Sequence, residues 1–264
     1  MLVHFSIYHG TGNDFVMIDG RRLEGPVFGT TLIQKLCERR FGIGADGLII
    51  LEESSTFDFT MRYFNADGHE GTMCGNGGRC IAAFASRLGI TGKHSRFEGI
   101  DGIHEAAILD HGEIRLKLAD VAAVKRLDDG YLLDTGSPHF VHFVSKLAAL
   151  DVEREGKRIR HEPRFGGAGV NVNFVERGQA PGEISVRTFE RGVEGETWSC
   201  GTGVAASAIS ACFDTGADNQ SYKVHTRGGE LKVTFSREAN GNYTRIFLTG
   251  PASHVYDGTI EVAV

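Results

Sequence analysis

MCGNGGRC (residues 73–80) and SCGTGVAA (residues 199–206) are two versions of one short device. In each, a cysteine stands directly before a glycine, a small amide or hydroxyl residue and a second glycine, and an alanine-containing apolar segment follows. The similarity extends outward. MRYFNADGHEGTMCGNG (61–77) resembles VRTFERGVEGETWSCGTG (186–203), and TGNDFV (11–16) resembles TGSPHFV (135–141). Gly12 and Gly136, Phe64 and Phe189, and Cys74 and Cys200 are 124, 125 and 126 positions apart. Three collinear matches at nearly one spacing mark an internal repeat. The chain therefore reads as two homologous halves, each with a strand, a polar loop, another strand, a cysteine turn and a buried helix.

The rest of the pattern suits that reading. Short β-type runs recur, among them LIIL, FTMRYF, EIRLKL, FVHFV, ISVRTF, LKVTF and TRIFL, separated by turn residues, which predicts a mostly antiparallel sheet. Three segments carry helical spacing: TTLIQKLCERR (30–40), with Leu32, Leu36 and Cys37 on one face, and the segments that follow the two cysteines. In those two, Ile81, Phe84, Ala85 and Leu88, then Val204, Ala205, Ala208, Ile209 and Cys212, are apolar over more than one face, so each is expected at the centre of a sheet. The expected fold is α+β: two halves, residues 1–119 with Cys74 and 120–251 with Cys200, each a sheet around a central helix. The last strand, in HVYDGTIEVAV (254–264), is expected to return to the first half, and the active site to lie in the cleft between the halves.

Composition excludes several function classes. A formal net charge of -6 with acidic and basic residues interspersed is unsuited to nucleic acid or an anionic membrane and better suited to a small ligand. No apolar run has membrane-spanning length, and the first residues alternate like a strand rather than a signal peptide. Five cysteines, an odd number, do not form a secreted disulfide framework, so they read as thiols of a reducing cytoplasm.

A thiol just ahead of a helix sits at the positive end of the helix dipole, which favours the thiolate. The glycines let backbone N–H groups approach a carboxylate closely. Two such turns facing one carbon from opposite sides would hold its carboxylate and place one sulfur on each face. One thiolate can then remove the α-proton while the other thiol returns a proton, a stereoinversion that requires no metal or organic cofactor. A lone cysteine before a helix is more often a small packing residue, and Cys37, Cys80 and Cys212 are read that way. GIGADG (42–47) matches the glycine pattern of a dinucleotide site but follows a helix and precedes a strand, the reverse of that context. Neither a CxxC nor a close Cys/His set argues for zinc.

With these residues in place the chain resembles the diaminopimelate epimerases, cofactor-independent enzymes that interconvert LL- and meso-diaminopimelate on the route to lysine and cell-wall precursor. GTGNDFVMID, GIGADG, FNADG with CGNGGRC, GSPHFV, NVNF and ERGVEGETWSCGTG carry the resemblance in family order over nearly the whole chain. The resemblance implies that Cys74 and Cys200 are the acid/base pair, supported by His139 and Glu190. It implies substrate contacts from Asn13, Asn65, Asn171, Glu190 and Arg191, and carboxylate contacts from Gly75 with Asn76 and Gly201 with Thr202. It further implies diaminopimelate as the small-molecule substrate, a homodimer, and no metal, nucleic acid or membrane partner. Ser137 replaces an asparagine common in the family, Gly47 stands where some members carry glutamine, and the ERGVEGET loop is one residue longer than usual. Two other readings stay open: a related cofactor-independent racemase or isomerase of the same superfamily, and, from a different class, a thiol redox or metal-binding protein.

Overall fold

The structure, a computed structural model, describes residues 1–23, 28–216 and 220–262. They divide into two compact units, one formed by residues 1–116 together with the segment from Pro251 onward and the other by Lys117–Gly250.

The first unit opens with the hairpin of β1 (Leu2–Gly10) and β2 (Asn13–Asp19). Its two-residue turn places Thr11 at φ 51° and Gly12 at φ 86°, both in the left-handed region that matches the twist of a tight hairpin. Helix α1 (Thr30–Cys37) then crosses over to β3 (Gly47–Glu52), which lies parallel to β2. Strand β4 (Phe59–Asn65) returns antiparallel to β3, and β5 (Glu70–Gly71) pairs back onto β4. Helix α2 (Gly75–Arg87) crosses to β6 (His94–Gly99), parallel to β4, and β7 (Gly102–Ile108) and β8 (Ile114–Lys117) complete an antiparallel meander.

The second unit repeats this order pairing for pairing. Strands β10 (Gly130–Asp134) and β11 (Pro138–Phe143) form the antiparallel pair, α3 (Val152–Arg160) crosses to β12 (Asn171–Arg177), and β12 lies parallel to β11. Strand β13 (Glu183–Glu190) is antiparallel to β12 and pairs with β14 (Gly195–Thr197). Helix α4 (Gly201–Thr215) crosses to β15 (Ser221–Thr226), parallel to β13, and β16 (Gly229–Arg237) and β17 (Tyr243–Gly250) follow antiparallel. Even the outer strands correspond: β9 (Lys125–Leu127) flanks β10 as β18 (Ser253–Glu261) flanks β1. Residues 263–264 of the expected last strand lie outside the described residues.

The fold is α+β with mostly antiparallel sheet, and its parallel pairs have a definite cause. Parallel neighbours need a crossover, and among the described residues each of the four parallel pairs is joined by a crossover that carries one α-helix. At β3 both faces are covered, Leu48 and Ile50 by α1 and Ile49 by the start of α2, so β3, which reads GLIILE, is buried along nearly its whole length, whereas strands such as β8 bury alternate residues. In the first unit Ile33, Leu36 and Cys37 of α1 pack with Val16, Ile18, Leu48 and Ile50. In the second, Val152 and Ile159 of α3 pack with Phe140, Val172, Phe174 and Phe189.

Three sequence expectations need correction. The inner face of α1 adds Ile33 to Leu36 and Cys37, with Leu32 packed against the same core but only partly buried, and α1 ends at Cys37, three residues before Arg40. Helix α3 was not foreseen, because DVEREGKRIR is dominated by charge and buries only Val152, Gly156 and Ile159. Gly156 marks the contact: a Cβ there would lie 2.3 Å from that of Phe189, so glycine sits mid-helix to let α3 close on the sheet.

Candidate active site

Helices α2 and α4 both start at a cysteine. Cys74 is the N-cap of α2 in an extended conformation (φ −95°, ψ 147°), and its Sγ accepts a hydrogen bond from Gly77 N at 3.2 Å. Cys200 is the N-cap of α4 with φ −114° and ψ 108°; its Sγ lies 3.5 Å from Thr202 Oγ1. The first-turn amides, from Gly75 and Asn76 in one helix and Gly201 and Thr202 in the other, point out of the helix N-termini, where partial positive charge collects. Each turn can hold an anion beside a sulfur.

The first turn is anchored by a buried arginine that the sequence did not single out. Arg79 has no exposed surface. Its guanidinium donates to Gly75 O at 3.0 Å, Asn76 Oδ1 at 3.1 Å, Pro251 O at 3.2 Å and Thr11 Oγ1 at 3.3 Å. Burial pushes the Arg79 pKa below the usual arginine value. Asn76 in turn donates through Nδ2 to Asn13 Oδ1 at 3.2 Å, and Asn13 Nδ2 donates to Asp46 Oδ2 at 2.8 Å. Arg39 pairs with both Asp14 and Asp46 and holds Asp14 below the usual carboxylate range despite its burial. Asn13 keeps one N–H and one oxygen lone pair beyond these contacts, enough to meet a ligand.

Asn65 lies exposed at the end of β4, opposite Gly47 in the β3–β4 register, and accepts from the Tyr63 hydroxyl at 2.8 Å. A Cβ on Gly47 would lie 2.7 Å from both the Phe64 carbonyl oxygen and Tyr63 Cε2. The Tyr63 ring takes the space of a longer side chain at 47, and its hydroxyl brings a polar group to Asn65. In the sequence Tyr63 is one aromatic among others in FTMRYF, and nothing local distinguishes it from other aromatic strand residues.

In the second unit His139 is fully buried and faces Asn171 across the parallel β11–β12 pair. Asn171, also buried, donates through Nδ2 to Ser137 Oγ at 3.1 Å and Pro138 O at 3.2 Å, and accepts from Arg191 N at 2.9 Å. Its two N–H groups are thus both engaged within the unit. Glu190 and Arg191, half-buried, follow at the end of β13. Burial, with the Arg191 charge, pushes His139 down to about 3, so the ring is neutral at ordinary pH.

The remaining thiols behave as packing residues. Cys37, Cys80 and Cys212 are buried, and burial pushes the Cys37 thiol up to about 12 and the Cys80 thiol higher still. All five cysteines are free thiols. Among the described residues, no three His, Cys, Asp or Glu side chains gather in a way that could hold a metal ion, and no helix is long and apolar enough to cross a membrane.

Comparison with known proteins agrees with this architecture. Among solved structures, a phenazine biosynthesis protein of the PhzF family from Bacillus anthracis superposes with a TM-score of 0.79 over 99% of this chain and 100% of its own at 14% identity. A probable proline racemase from Agrobacterium radiobacter superposes with a TM-score of 0.71 over 99% of this chain and 93% of its own, at 17% identity. At such identities these two speak for the fold alone. Sequence relatives are much nearer. The diaminopimelate epimerase of Flavobacterium psychrophilum is 49% identical, covering 96% of this chain and 98% of its own. That of Chlorobaculum tepidum is 46% identical, covering 96% and 99%. The diaminopimelate epimerase family model matches residues 5–123 and 131–255, one stretch for each repeat, and the chain belongs to that family.

Proposed function

We propose that this chain is an isomerase that interconverts LL- and meso-diaminopimelate by a two-base mechanism, with Cys74 and Cys200 acting on opposite faces of one α-carbon. One thiolate takes the α-proton; the electron pair of the broken C–H bond is delocalised into the adjacent carboxylate. The other thiol then delivers its proton to the opposite face, so one proton is taken up and one released; the first sulfur is left as thiol and the second as thiolate, and proton exchange with solvent restores the starting pair before the next turnover in the same direction. The developing negative charge is held by the first-turn amides at Gly75 and Asn76 and at Gly201 and Thr202, preorganised donors of the kind that stabilise oxyanions.

The observation that carries this reading is the repeated N-cap. Two equivalent crossover helices, in two units of the same topology, each begin at a cysteine followed by glycine, in a chain nearly half identical to a named epimerase along almost its full length. Around the turns, Asn13 and Asn65 meet the polar groups of the substrate, Glu190 takes its ammonium, and Arg191 acts near a carboxylate. Asn171 contributes by fixing Ser137 and the Arg191 backbone. The reading includes reduced thiols in a cytoplasmic enzyme and a homodimer, the latter checked by light scattering.

The deciding experiment incubates reduced protein with LL-diaminopimelate in D2O. Deuterium should enter the α-position as the meso isomer forms. Absence of both, with the thiols shown to be free, would reject the assignment.

A further inference from the structure

Asn173, on β12, lies within the NVNF motif (171–174). Its side chain settles a question that the histidine alone leaves open. The Phe140 carbonyl lies 3.2 Å from Asn173 Nδ2 and can only accept, so the amide nitrogen must face it. Asn173 Oδ1 accepts from Thr188 Oγ1 at 2.9 Å. The second N–H of Nδ2 therefore points at His139 Nδ1, 3.1 Å away. That ring nitrogen must carry a lone pair, and the proton of the neutral ring sits on Nε2.

The consequence runs toward the thiol. His139 Nε2 lies 3.0 Å from both Ser137 Oγ and Thr202 Oγ1. Ser137 Oγ already accepts from Asn171, whose own orientation is fixed by Pro138 O and Arg191 N. With His139 donating to Thr202 Oγ1, the Thr202 hydroxyl has its own proton to give, and Cys200 Sγ is 3.5 Å from it. The contact is tightly built: a Cβ on Gly203, in the first turn of α4, would lie 2.2 Å from Asn173 Oδ1.

The first unit has no counterpart. By strand register, Phe15 and Ile49 stand where His139 and Asn173 stand in the second, and Ile49 packs against Gly77 as Asn173 packs against Gly203. Cys74 receives a backbone N–H, whereas Cys200 is reached by a polar chain from β12. Burial and the nearby Arg191 charge act in the same direction, keeping His139 neutral.

We propose that Asn173 is a positioning residue that locks His139 as the neutral Nε2–H tautomer, so that the ring serves Cys200 as a hydrogen-bond donor through the Thr202 hydroxyl and not as a proton acceptor. The link to turnover rests on the two-thiol reading above; the tautomer itself does not.

The test is the histidine side-chain 15N spectrum of the reduced, full-length protein, with the His139 signals identified by their loss in His139→Gln. A pyridine-type Nδ1 and a pyrrole-type Nε2, unchanged over roughly pH 5 to 9, are expected. In Asn173→Asp the new carboxylate calls for a proton on Nδ1, so the signature should invert and His139 should titrate within that range. With diaminopimelate as substrate, kcat in that variant should fall about tenfold or more, with a smaller change in KM. An Nδ1–H or doubly protonated His139 in the parent protein at neutral pH overturns the proposal, and so does an Asn173→Asp protein that keeps the parent tautomer. If that variant does not fold, the parent spectrum decides alone. A parent protein with the expected tautomer that fails to epimerise diaminopimelate leaves the lock standing and removes the functional reading.

Discussion

Arg79 Nη2 lies 3.1 Å from Asn76 Oδ1, a guanidinium with no exposed surface bonded to the residue two places after the Cys74 N-cap. The same guanidinium reaches the β1–β2 turn at Thr11 and the chain at Pro251, so the cysteine turn, the strained hairpin and the C-terminal segment share one donor group. The corresponding residue of α4, 126 positions on, is Ala205, and the second turn has no such cation. Arg79→Leu removes the charge and leaves buried acceptors without donors, each costing about 1–3 kcal/mol. Urea unfolding should show a loss on the order of 3 kcal/mol, and Arg79→Lys, which cannot span all four acceptors, a smaller loss. Unchanged stability in Arg79→Leu would mean that these bonds do not hold the turn.

The two cysteines should be equal in catalysis and unequal in stability. Cys74→Ala and Cys200→Ala should each lower epimerisation at least about 100-fold, since each removes an acid/base group from one face of the reacting carbon. Cys74→Ala also removes the Sγ acceptor for a backbone cap, Gly77 N, worth about 1 kcal/mol, whereas Cys200→Ala removes the longer 3.5 Å contact with the Thr202 hydroxyl, which costs less. Thermal melts should therefore separate the variants while activity does not. Epimerisation near the parent rate in either one would end the two-base scheme.

What was legible in the sequence was whatever repeats or has a period. The two cysteine turns and their apolar helices match in sequence, and the equivalent pairings of β1–β8 and β10–β17 are the physical form of that match. What escaped depends on partners distant in sequence. Arg79 is polar by composition and buried only because Thr11 and Pro251, 68 and 172 residues away, meet it. Helix α3 lacks a wide apolar face and is held by Val152 and Ile159 on the core and by the close approach at Gly156. Tyr63 acquires its place from an absent side chain at Gly47, and Asn173 acquires its meaning only from the tautomer that it imposes on His139.

The Gly47–Tyr63 exchange makes a specific prediction about substrate recognition. Tyr63→Phe removes the hydroxyl that bonds Asn65 Oδ1 while keeping the ring that fills the space at Gly47. Binding should weaken, with KM for diaminopimelate rising up to about tenfold, the worth of one neutral hydrogen bond, and kcat less affected. Gly47→Gln alone should cost about 1–3 kcal/mol, because its Cβ meets the Phe64 carbonyl and the Tyr63 ring. A Gly47→Gln protein as stable as the parent would show that the tyrosine does not fill this space.

His139 should make the protein sensitive to acid. Its folded pKa is pushed down to about 3 by burial and by Arg191, while in the unfolded chain it returns to about 6.5. Between these values the unfolded state binds a proton that the folded state refuses, so stability rises with pH across this window. The contribution is fully present above about pH 6.5 and is lost at up to about 1.4 kcal/mol per pH unit as the pH falls toward 3. Carboxylates held low by their ion pairs, such as Asp14 and Asp257, lose stabilisation in more acidic solution and add to the fall. His139→Gln, which cannot take up the proton, isolates the histidine part. Although weaker near neutrality, it should show a shallower decline in urea-unfolding free energy between pH 6.5 and 4.5. Parallel slopes for the two proteins would mean that the ring takes up its proton in the folded state, and the neutral His139 on which the donor chain to Cys200 depends would have to be given up.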